Sequence, residues 1–192
     1  MKPALRFLLS CLAMLAIAPL PANARQTAHT VYSYYPVSGQ SLQEIHQNMV
    51  LNGPSSNGVK GFGVTSVVPG NQMSVSSCVK SGNYHFDLKF IIRLPKIGNA
   101  VNLSGIELAQ VAKFVKFVQK HEETHRSIWM NYAARYERLL QGSGSKDCAS
   151  SHAKAMALWK QMMDASRPDQ ISFDQAQRSV LNSQQFIRLA AR

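Results

Sequence analysis

The apolar and polar positions along the chain predict strands in its first half and helices in its second half. Thr30–Val37 is rich in β-branched and aromatic residues, which is typical of a strand. Three further strands separated by short turns are predicted at Gly63–Val68, Met73–Val79 and Tyr84–Leu94. Pro95 is expected to end the last of them. The short turns favour an antiparallel meander of these three strands, with Thr30–Val37 pairing at an edge.

A short amphipathic helix is predicted between the first two strands. Ser41 is a suitable N-cap, and Glu44 three residues later completes a capping box. Apolar residues then recur at helical spacing: Leu42, Ile45, Met49 and Val50. Asn52-Gly53-Pro54 provides the end of the helix.

A long amphipathic helix dominates the second half of the chain. Ser104 is its predicted N-cap, with Glu107 as the partner in a capping box, and the helical pattern continues to about Gln141. Its inner face carries apolar residues spaced alternately four and three apart: Val111, Val115, Val118, Trp129, Tyr132, Tyr136 and Leu139. The same spacing, continued through the gap in this series, lands on Glu122 and His125.

Two more helices are predicted after a break at Gly142–Ser145. One runs from Asp147 to about Ala165, Arg167-Pro168 interrupts it, and a last helix spans Phe173–Leu189. Strands first and helices second indicate an α+β domain. We therefore expect a small N-terminal antiparallel sheet with a short helix, followed by the long helix and a C-terminal helical hairpin or bundle.

The N-terminus has the composition of a secretory signal peptide. Lys2 and Arg6 precede the apolar run Phe7–Leu20, and Ala22-Asn23-Ala24 is a typical cleavage site. We expect residues 1–24 to direct export, so that the mature protein is periplasmic or secreted.

An alternative to this cleavage is a lipoprotein signal at Leu9-Ser10-Cys11, although the apolar run before that cysteine is short. The 168 residues that remain after cleavage (192 less 24) suit one domain. We assign that domain to residues 25–192, with 25–100 mainly β and 101–192 mainly α.

Two cysteines remain in the mature chain, Cys78 and Cys148. An even number of cysteines in an exported protein predicts a disulfide between them. The alternative is a metal pair formed by Cys148 and His152, which are four residues apart. No further cysteine or histidine is close in sequence to complete such a site, so the disulfide is favoured.

The charge of the chain is strongly positive but not concentrated. The formal net charge is +11, and +9 remains once Lys2 and Arg6 are removed with the signal peptide. The basic residues are scattered, which is typical of a solvated surface and allows peripheral contact with an anionic envelope surface. Nucleic acid is not an expected partner, because no basic patch is interleaved with aromatic residues. The sequence does not indicate an oligomeric state.

The stretch His121-Glu122-Glu123-Thr124-His125 lies within the long helix and reads H-E-x-x-H. Two histidines four residues apart project from one helix face, so both imidazoles can reach one metal ion. The glutamate after the first histidine can act on a water molecule that the metal activates, as in zinc peptidases. The motif predicts that His121 and His125 bind Zn²⁺ and that Glu122 is the general base. Glu123 is expected to face solvent.

The alternative is a pair of ordinary core histidines, with Glu122 hydrogen-bonded to one of them. A catalytic zinc ion commonly has three protein ligands, and the third is open here. Asp164 falls opposite His125 if the long helices pack as an antiparallel hairpin about Gly142–Ser145. Asp174 is the second candidate, on the segment that returns after the proline.

These features resemble a bacterial family called domain of unknown function 922, whose members are described as predicted secreted zinc-dependent proteases. The resemblance extends from about Val31 to about Asp174. It rests on the Tyr-rich strand ending in Val37-Ser38-Gly39, the Asn52-Gly53-Pro54 turn, H-E-E-T-H-R at 121–126, and Cys148. The resemblance implies a single zincin-like protease domain.

The family pattern continues with an aromatic residue followed by aspartate, and then with a His-Gly pair. Phe173-Asp174 matches the first part, whereas Gln177-Arg178-Ser179 stands where the histidine is expected. The resemblance therefore raises Asp174 as a substitute for a lost histidine ligand.

The leading functional interpretation is an exported zinc metallopeptidase that hydrolyses peptides or proteins. Zinc would activate a water molecule, and Glu122 would accept its proton. A second interpretation is a non-catalytic exported binding or assembly protein with a structural or vestigial metal site. A third is a zinc amidase acting on cell-wall peptides, since the same chemistry serves any amide.

Overall fold

The computed structural model of the chain describes residues 27–56, 58–69, 87–98, 102–140 and 148–192. The predicted signal peptide and the predicted strand Met73–Val79 lie outside these residues. So do Cys78 and the side chain of Cys148, and the disulfide therefore stays a prediction. The α+β fold class is confirmed: a small sheet and a short helix come first, and long helices follow.

The elements in chain order begin with strand β1, Thr27–Val37, and helix α1, Leu42–Asn52. The short strands β2, Ser55–Ser56, and β3, Val59–Lys60, pair with each other in an antiparallel ladder. Strands β4, Val64–Pro69, and β5, Asp87–Ile97, complete the main sheet. The helices that follow are α2, Gly105–Leu140, α3, Cys148–Asn182, and α4, Gln185–Ala190. In the described part of the chain, no helix combines the length and the apolar character needed to cross a membrane.

The main sheet has the strand order β1-β5-β4. The edge position of β1 agrees with the sequence-based expectation. The predicted meander is wrong in its pairing: it placed Met73–Val79 between the other two strands, whereas β4 pairs directly with β5 in an antiparallel ladder. The sheet was expected to be entirely antiparallel. That expectation is wrong for β1, because β1 pairs with β5 in parallel. A parallel pair needs a long crossover connection, and the 49 residues between β1 and β5 supply it.

Pro95 does not end the last strand, since β5 continues to Ile97. The register explains why the proline is tolerated. Strand β4 pairs only with residues 88–93 of β5, so Pro95 has β1 as its one described neighbour, opposite Tyr35. On its β4 side Pro95 therefore lies beyond the paired part of β5, and proline is tolerated at such edge positions.

Helix α2 lies against the sheet, and its buried face differs in part from the predicted one. The buried positions of α2 are Val111, Phe114, Val118, Glu122, Ala133 and Glu137. Leu139 was expected on the inner face but is 56% exposed. The predicted apolar positions repeat every 3.5 residues on average. A straight helix has about 3.6 residues per turn, so these positions rotate around the helix by about 20° per heptad. Over the 36 residues of α2 this drift moves the end of the series toward solvent.

Two apolar clusters lie along α2. The first joins α1, the sheet, the first half of α2 and α4; its buried members include Ile45, Met49, Ile92, Phe114, Val118 and Phe186. The second joins the sheet, the second half of α2 and α3; its buried members include Leu88, Phe90, Ala133, Leu158 and Met162. On α2 the two clusters are separated by the segment 119–128, which contains the histidine motif.

The predicted interruption at Arg167-Pro168 is wrong, because α3 is continuous from Cys148 to Asn182 with Pro168 inside it. The expected last helix is consequently divided between the end of α3 and the short α4. An interior proline removes one helical hydrogen bond. Contacts of the next two residues with α2 hold the helix there: Asp169 accepts a bond from Tyr132, and Gln170 bonds to His125.

Candidate metal centre

His121, His125 and Asp174 come together between α2 and α3. The histidines lie one turn apart on α2, and Asp174 approaches them from α3, which runs in the opposite direction. Asp174 Oδ1 lies 3.1 Å from His121 Nε2 and 2.9 Å from His125 Nε2. The two Nε2 atoms are themselves 3.1 Å apart. Three potential ligand atoms thus form a triangle with almost equal sides.

The donor set and its spacing fit a zinc ion. Ligand atoms bound tetrahedrally at about 2.0–2.1 Å from zinc are separated by about 3.3 Å, so a small outward shift of each side chain suffices. Three lone-pair-bearing atoms at such short distances repel one another unless protons or a cation lie between them. Among the described residues, these three form a group that could hold a metal ion.

Of the two carboxylates considered for the third ligand, only Asp174 is at this site. Asp164 is half exposed and pairs with Lys160 and Arg167 on its own helix, at 2.6 and 3.5 Å. The expectation that Asp164 lies opposite His125 is therefore wrong. Gln170 lies opposite His125 instead, because α3 is shifted along α2 by six residues relative to the predicted hairpin.

Burial and charge at the triangle affect the protonation of its members. Burial opposes protonation of His125, but its bonds to Asp174 and Gln170 and the nearby negative charges raise its pKa overall. Burial likewise opposes ionisation of Asp174, but the two imidazoles beside it hold the pKa of that carboxyl well below its usual range. Asp174 is thus a carboxylate at neutral pH, which is the form that binds a metal.

The site opens toward solvent on the side of Asp174. The side chains of His121 and His125 are 21% and 12% exposed, whereas that of Asp174 is 56% exposed. Phe173 covers part of the imidazole surface: its ring stacks on His121 at 4.7 Å and meets His125 edge-on at 5.1 Å. The exposed Asp174 side therefore offers a ligand an approach to the three atoms.

Glu122 lies next to the two histidines on α2, about 60° around the helix from His125, and its side chain packs against the sheet. Its side chain is 5% exposed, and the Thr65 hydroxyl on β4 donates to both Glu122 Oε2 and the Glu122 carbonyl oxygen, each at 2.9 Å. Burial raises the pKa of Glu122, while the charges of His125 and His121 and the Thr65 bond oppose that rise. The carboxyl group is thus close enough to the triangle to interact with it electrostatically.

Gly63 makes room for Glu122 at the point where the chain enters β4. A Cβ atom built on Gly63 would lie 2.8 Å from Val118 Cγ1 and 3.0 Å from Glu122 Oε1. Real Cβ atoms at such distances force a neighbour to move. The roles of Gly63 and Thr65 could not be predicted from the sequence, because neither residue is linked to the motif by spacing.

Glu123 is half-buried rather than facing open solvent. One of its carboxylate oxygens accepts hydrogen bonds from Tyr32 on β1, at 2.9 Å, and from Gln119, at 2.8 Å. The hydrogen bond to Glu123 is the main reason that the pKa of Tyr32 is raised. Glu123 therefore links the sheet edge to α2 and does not join the triangle.

Comparison with known proteins adds one match. Residues 32–180 match the sequence profile of a family described as "Bacterial protein of unknown function (DUF922)". No curated protein and no solved structure matches the chain. The profile covers most of the chain and includes all three members of the triangle as well as Glu122. The chain therefore belongs to this bacterial family of unknown function.

Proposed function

We propose that this protein is an exported zinc metallopeptidase in which His121, His125 and Asp174 hold the metal. The observation that carries the proposal is the convergence of two imidazole nitrogens and one carboxylate oxygen within about 3 Å of each other, beside a buried glutamate. The predicted signal peptide supports export. Export would also place the chain where the expected disulfide between Cys78 and Cys148 can form.

When bound, zinc supplies Lewis-acid chemistry: it lowers the pKa of water and polarises the scissile carbonyl. Neutral His121 and His125 present Nε2 lone pairs for that ion, and Asp174 adds one negative charge. Its partial exposure leaves an open side through which a peptide can enter.

Glu122 is the general base in this proposal. Its carboxyl group is buried beside the histidines, and burial raises its pKa. A carboxyl group with a raised pKa both accepts a proton from water and returns it to the leaving amine more readily than an ordinary glutamate does. The Thr65 hydroxyl keeps the Glu122 side chain in one position.

The experiment that tests this role compares Glu122→Gln with wild type for zinc content and for cleavage of a peptide library. We expect unchanged zinc content and a loss of hydrolysis by at least about 100-fold, because the general base is removed. Glu123→Gln is the matched control, one residue away on the same helix, and it should retain hydrolysis.

Retained hydrolysis in Glu122→Gln would exclude Glu122 as the base. Zinc bound by wild type without chelator-sensitive cleavage of any peptide would instead favour the exported binding protein. Cleavage limited to cell-wall peptides would favour the amidase.

A further inference from the structure

Gln170 contacts His125 at two places. The Gln170 Oε1 atom is hydrogen-bonded to His125 Nδ1, and Gln170 Nε2 donates to the main-chain carbonyl oxygen of His125 at 3.2 Å. Gln170 lies on α3 one turn before Asp174, so the same face of α3 carries both residues. Gln170 is partly buried in this contact.

The contact with the carbonyl oxygen fixes the orientation of the Gln170 amide. A carbonyl oxygen only accepts hydrogen bonds, so the NH₂ group of Gln170 must face it. The amide oxygen of Gln170 then faces His125 Nδ1. Since an amide oxygen also only accepts, His125 Nδ1 must carry a proton.

Asp174 Oδ1, 2.9 Å from His125 Nε2, also only accepts, so in the metal-free protein Nε2 shares a proton with that carboxylate. A metal ion would displace this proton and leave neutral His125 in one tautomer. With the proton on Nδ1, the lone pair is on Nε2. His125 Nε2 is the atom that lies 2.9 Å from Asp174 Oδ1 and 3.1 Å from His121 Nε2. The Gln170 amide therefore directs the lone pair of His125 into the triangle.

We propose that Gln170 is a positioning residue that holds neutral His125 in the tautomer with Nε2 free, and thereby raises the zinc affinity of the site. The inference rests on the proposed function, because it concerns the same metal centre. It goes beyond that function in assigning a role to a residue that contacts no substrate and is not a ligand. Groups of this kind orient ligating imidazoles and contribute about 10- to 100-fold to metal affinity.

One helix thus supplies two different parts of the site. Asp174 is a ligand, and Gln170, four residues earlier, fixes the ligand on the facing helix. This arrangement requires α3 to continue past Pro168, because a break there would change the direction of both side chains relative to α2.

The test uses three variants of the mature chain. Gln170→Met removes the acceptor with little change in volume. Gln170→Glu keeps an acceptor for His125 Nδ1–H. Gln161→Met is the matched control, since Gln161 is an exposed glutamine on the same helix.

Two readouts are measured for each variant. The first is the tautomer of His125, from the ¹⁵N chemical shifts of its ring at about pH 8, in zinc-free protein that also carries Asp174→Ala, so that no carboxylate accepts a proton from Nε2. The second is the zinc dissociation constant, from competition with a chelating dye. The first readout does not depend on zinc or on hydrolysis.

With Asp174→Ala present, we expect His125 to carry its proton on Nδ1 when residue 170 is Gln or Glu and in Gln161→Met. In Gln170→Met we expect a mixture of tautomers and a zinc affinity lower by about 10- to 100-fold. Gln170→Glu should recover most of that affinity, which a purely structural role would not explain.

An unchanged tautomer and an unchanged zinc affinity in Gln170→Met would overturn the inference while leaving the proposed function in place. A wild-type protein that binds no zinc would overturn the proposed function. In that case the ring shifts of His125 still decide whether Gln170 sets the tautomer.

Discussion

Glu122 and the two histidines are neighbours in sequence, yet they are held by different parts of the molecule. Successive residues of a helix are rotated by about 100°, so Glu122 faces the sheet while His121 and His125 face α3. Thr65 on β4 holds the Glu122 carboxylate, and the α3 helix supplies the partners of the imidazoles. The base and the metal ligands are thus positioned independently.

Gly63 provides a test of how closely the chain approaches Glu122. Gly63→Ala should lower the free energy of unfolding by about 1–3 kcal/mol, because its Cβ would lie too close to Val118 and Glu122. It should also reduce hydrolysis, since the Glu122 carboxylate must shift. Urea unfolding and peptide cleavage measure the two effects.

Gly105→Ala is the control for this substitution. A Cβ atom on Gly105 meets no atom within 4 Å, and the position lies at the start of α2. We expect unchanged or slightly higher stability there, because alanine favours the helix. Equal stabilities of the two variants would contradict the close contact at Gly63.

At the scale of residues, the sequence predicted the histidine pair and Glu122, since the H-E-x-x-H motif is local. It left the third ligand open between Asp164 and Asp174, because the choice depends on the register of two helices. The structure places Gln170 opposite His125, and Asp164 is six residues earlier, or about 9 Å along the helix axis. Gln170 was missed, because the predicted interruption at Arg167-Pro168 placed it outside any helix, whereas α3 is continuous there.

Among the elements, α2 is the one that carries the site, and its start is fixed by a capping box. The Glu107 N–H donates to Ser104 Oγ, and Glu107 Oε2 accepts from the Ser104 N–H at 2.8 Å. The capping box at the start of α1 is similar, except that Glu44 accepts from the N–H of Gln40 rather than from that of Ser41. Both boxes were predicted from the sequence.

The cap of α2 makes a contribution to stability that depends on pH. The Ser104 N–H, and then its hydroxyl, hold the pKa of Glu107 below its usual value. The stabilisation is therefore complete above the pKa of Glu107 in the unfolded chain and is lost as pH falls through its pKa in the folded protein. Glu107→Gln should remove this pH dependence.

Urea unfolding of wild type and Glu107→Gln over a series of pH values from neutral to acid checks this prediction. The two proteins should differ most at neutral pH and converge in acid. A difference that does not change with pH would contradict the role of the Glu107 carboxylate in the cap.

The bounds of α1 and α2 were easier to predict than the pairing of the strands. Caps and periodicity are local, and α2 was predicted within one or two residues at each end. The parallel pairing of β1 with β5 depends on contacts between segments about 60 residues apart, which no local pattern reveals. The continuation of α3 through Pro168 depends on its contacts with α2, which outweigh the local preference of proline.

For the molecule as a whole, helix α2 and strand β5 both contribute to the two apolar clusters. Val118 belongs to the first cluster, and Trp129 packs against the second. The polar residues of the candidate site occupy the interval between them. A metal ion held there joins α2 to α3 and therefore stabilises the arrangement of the two long helices.

Zinc should accordingly raise the stability of the whole protein. At a free zinc concentration of about 100 times the dissociation constant, the expected gain is about 2.7 kcal/mol. Thermal unfolding with zinc and with a chelator measures this gain, and His125→Ala should show no gain.

The gain in stability from zinc should fade in acid, because protons compete with zinc for the imidazoles. Since the pKa of His125 is raised, this competition begins at a higher pH than for an ordinary histidine. Equal gains in wild type and His125→Ala would contradict the site.

The most direct test of the central claim is the zinc content of the purified mature chain, measured by elemental analysis. Wild type is compared with His125→Ala, Asp174→Ala and the control Asp164→Ala. We expect about one zinc ion per chain in wild type and in Asp164→Ala, and little or none in the other two variants. A wild-type chain without zinc after reconstitution, or full zinc content in His125→Ala, would contradict the account.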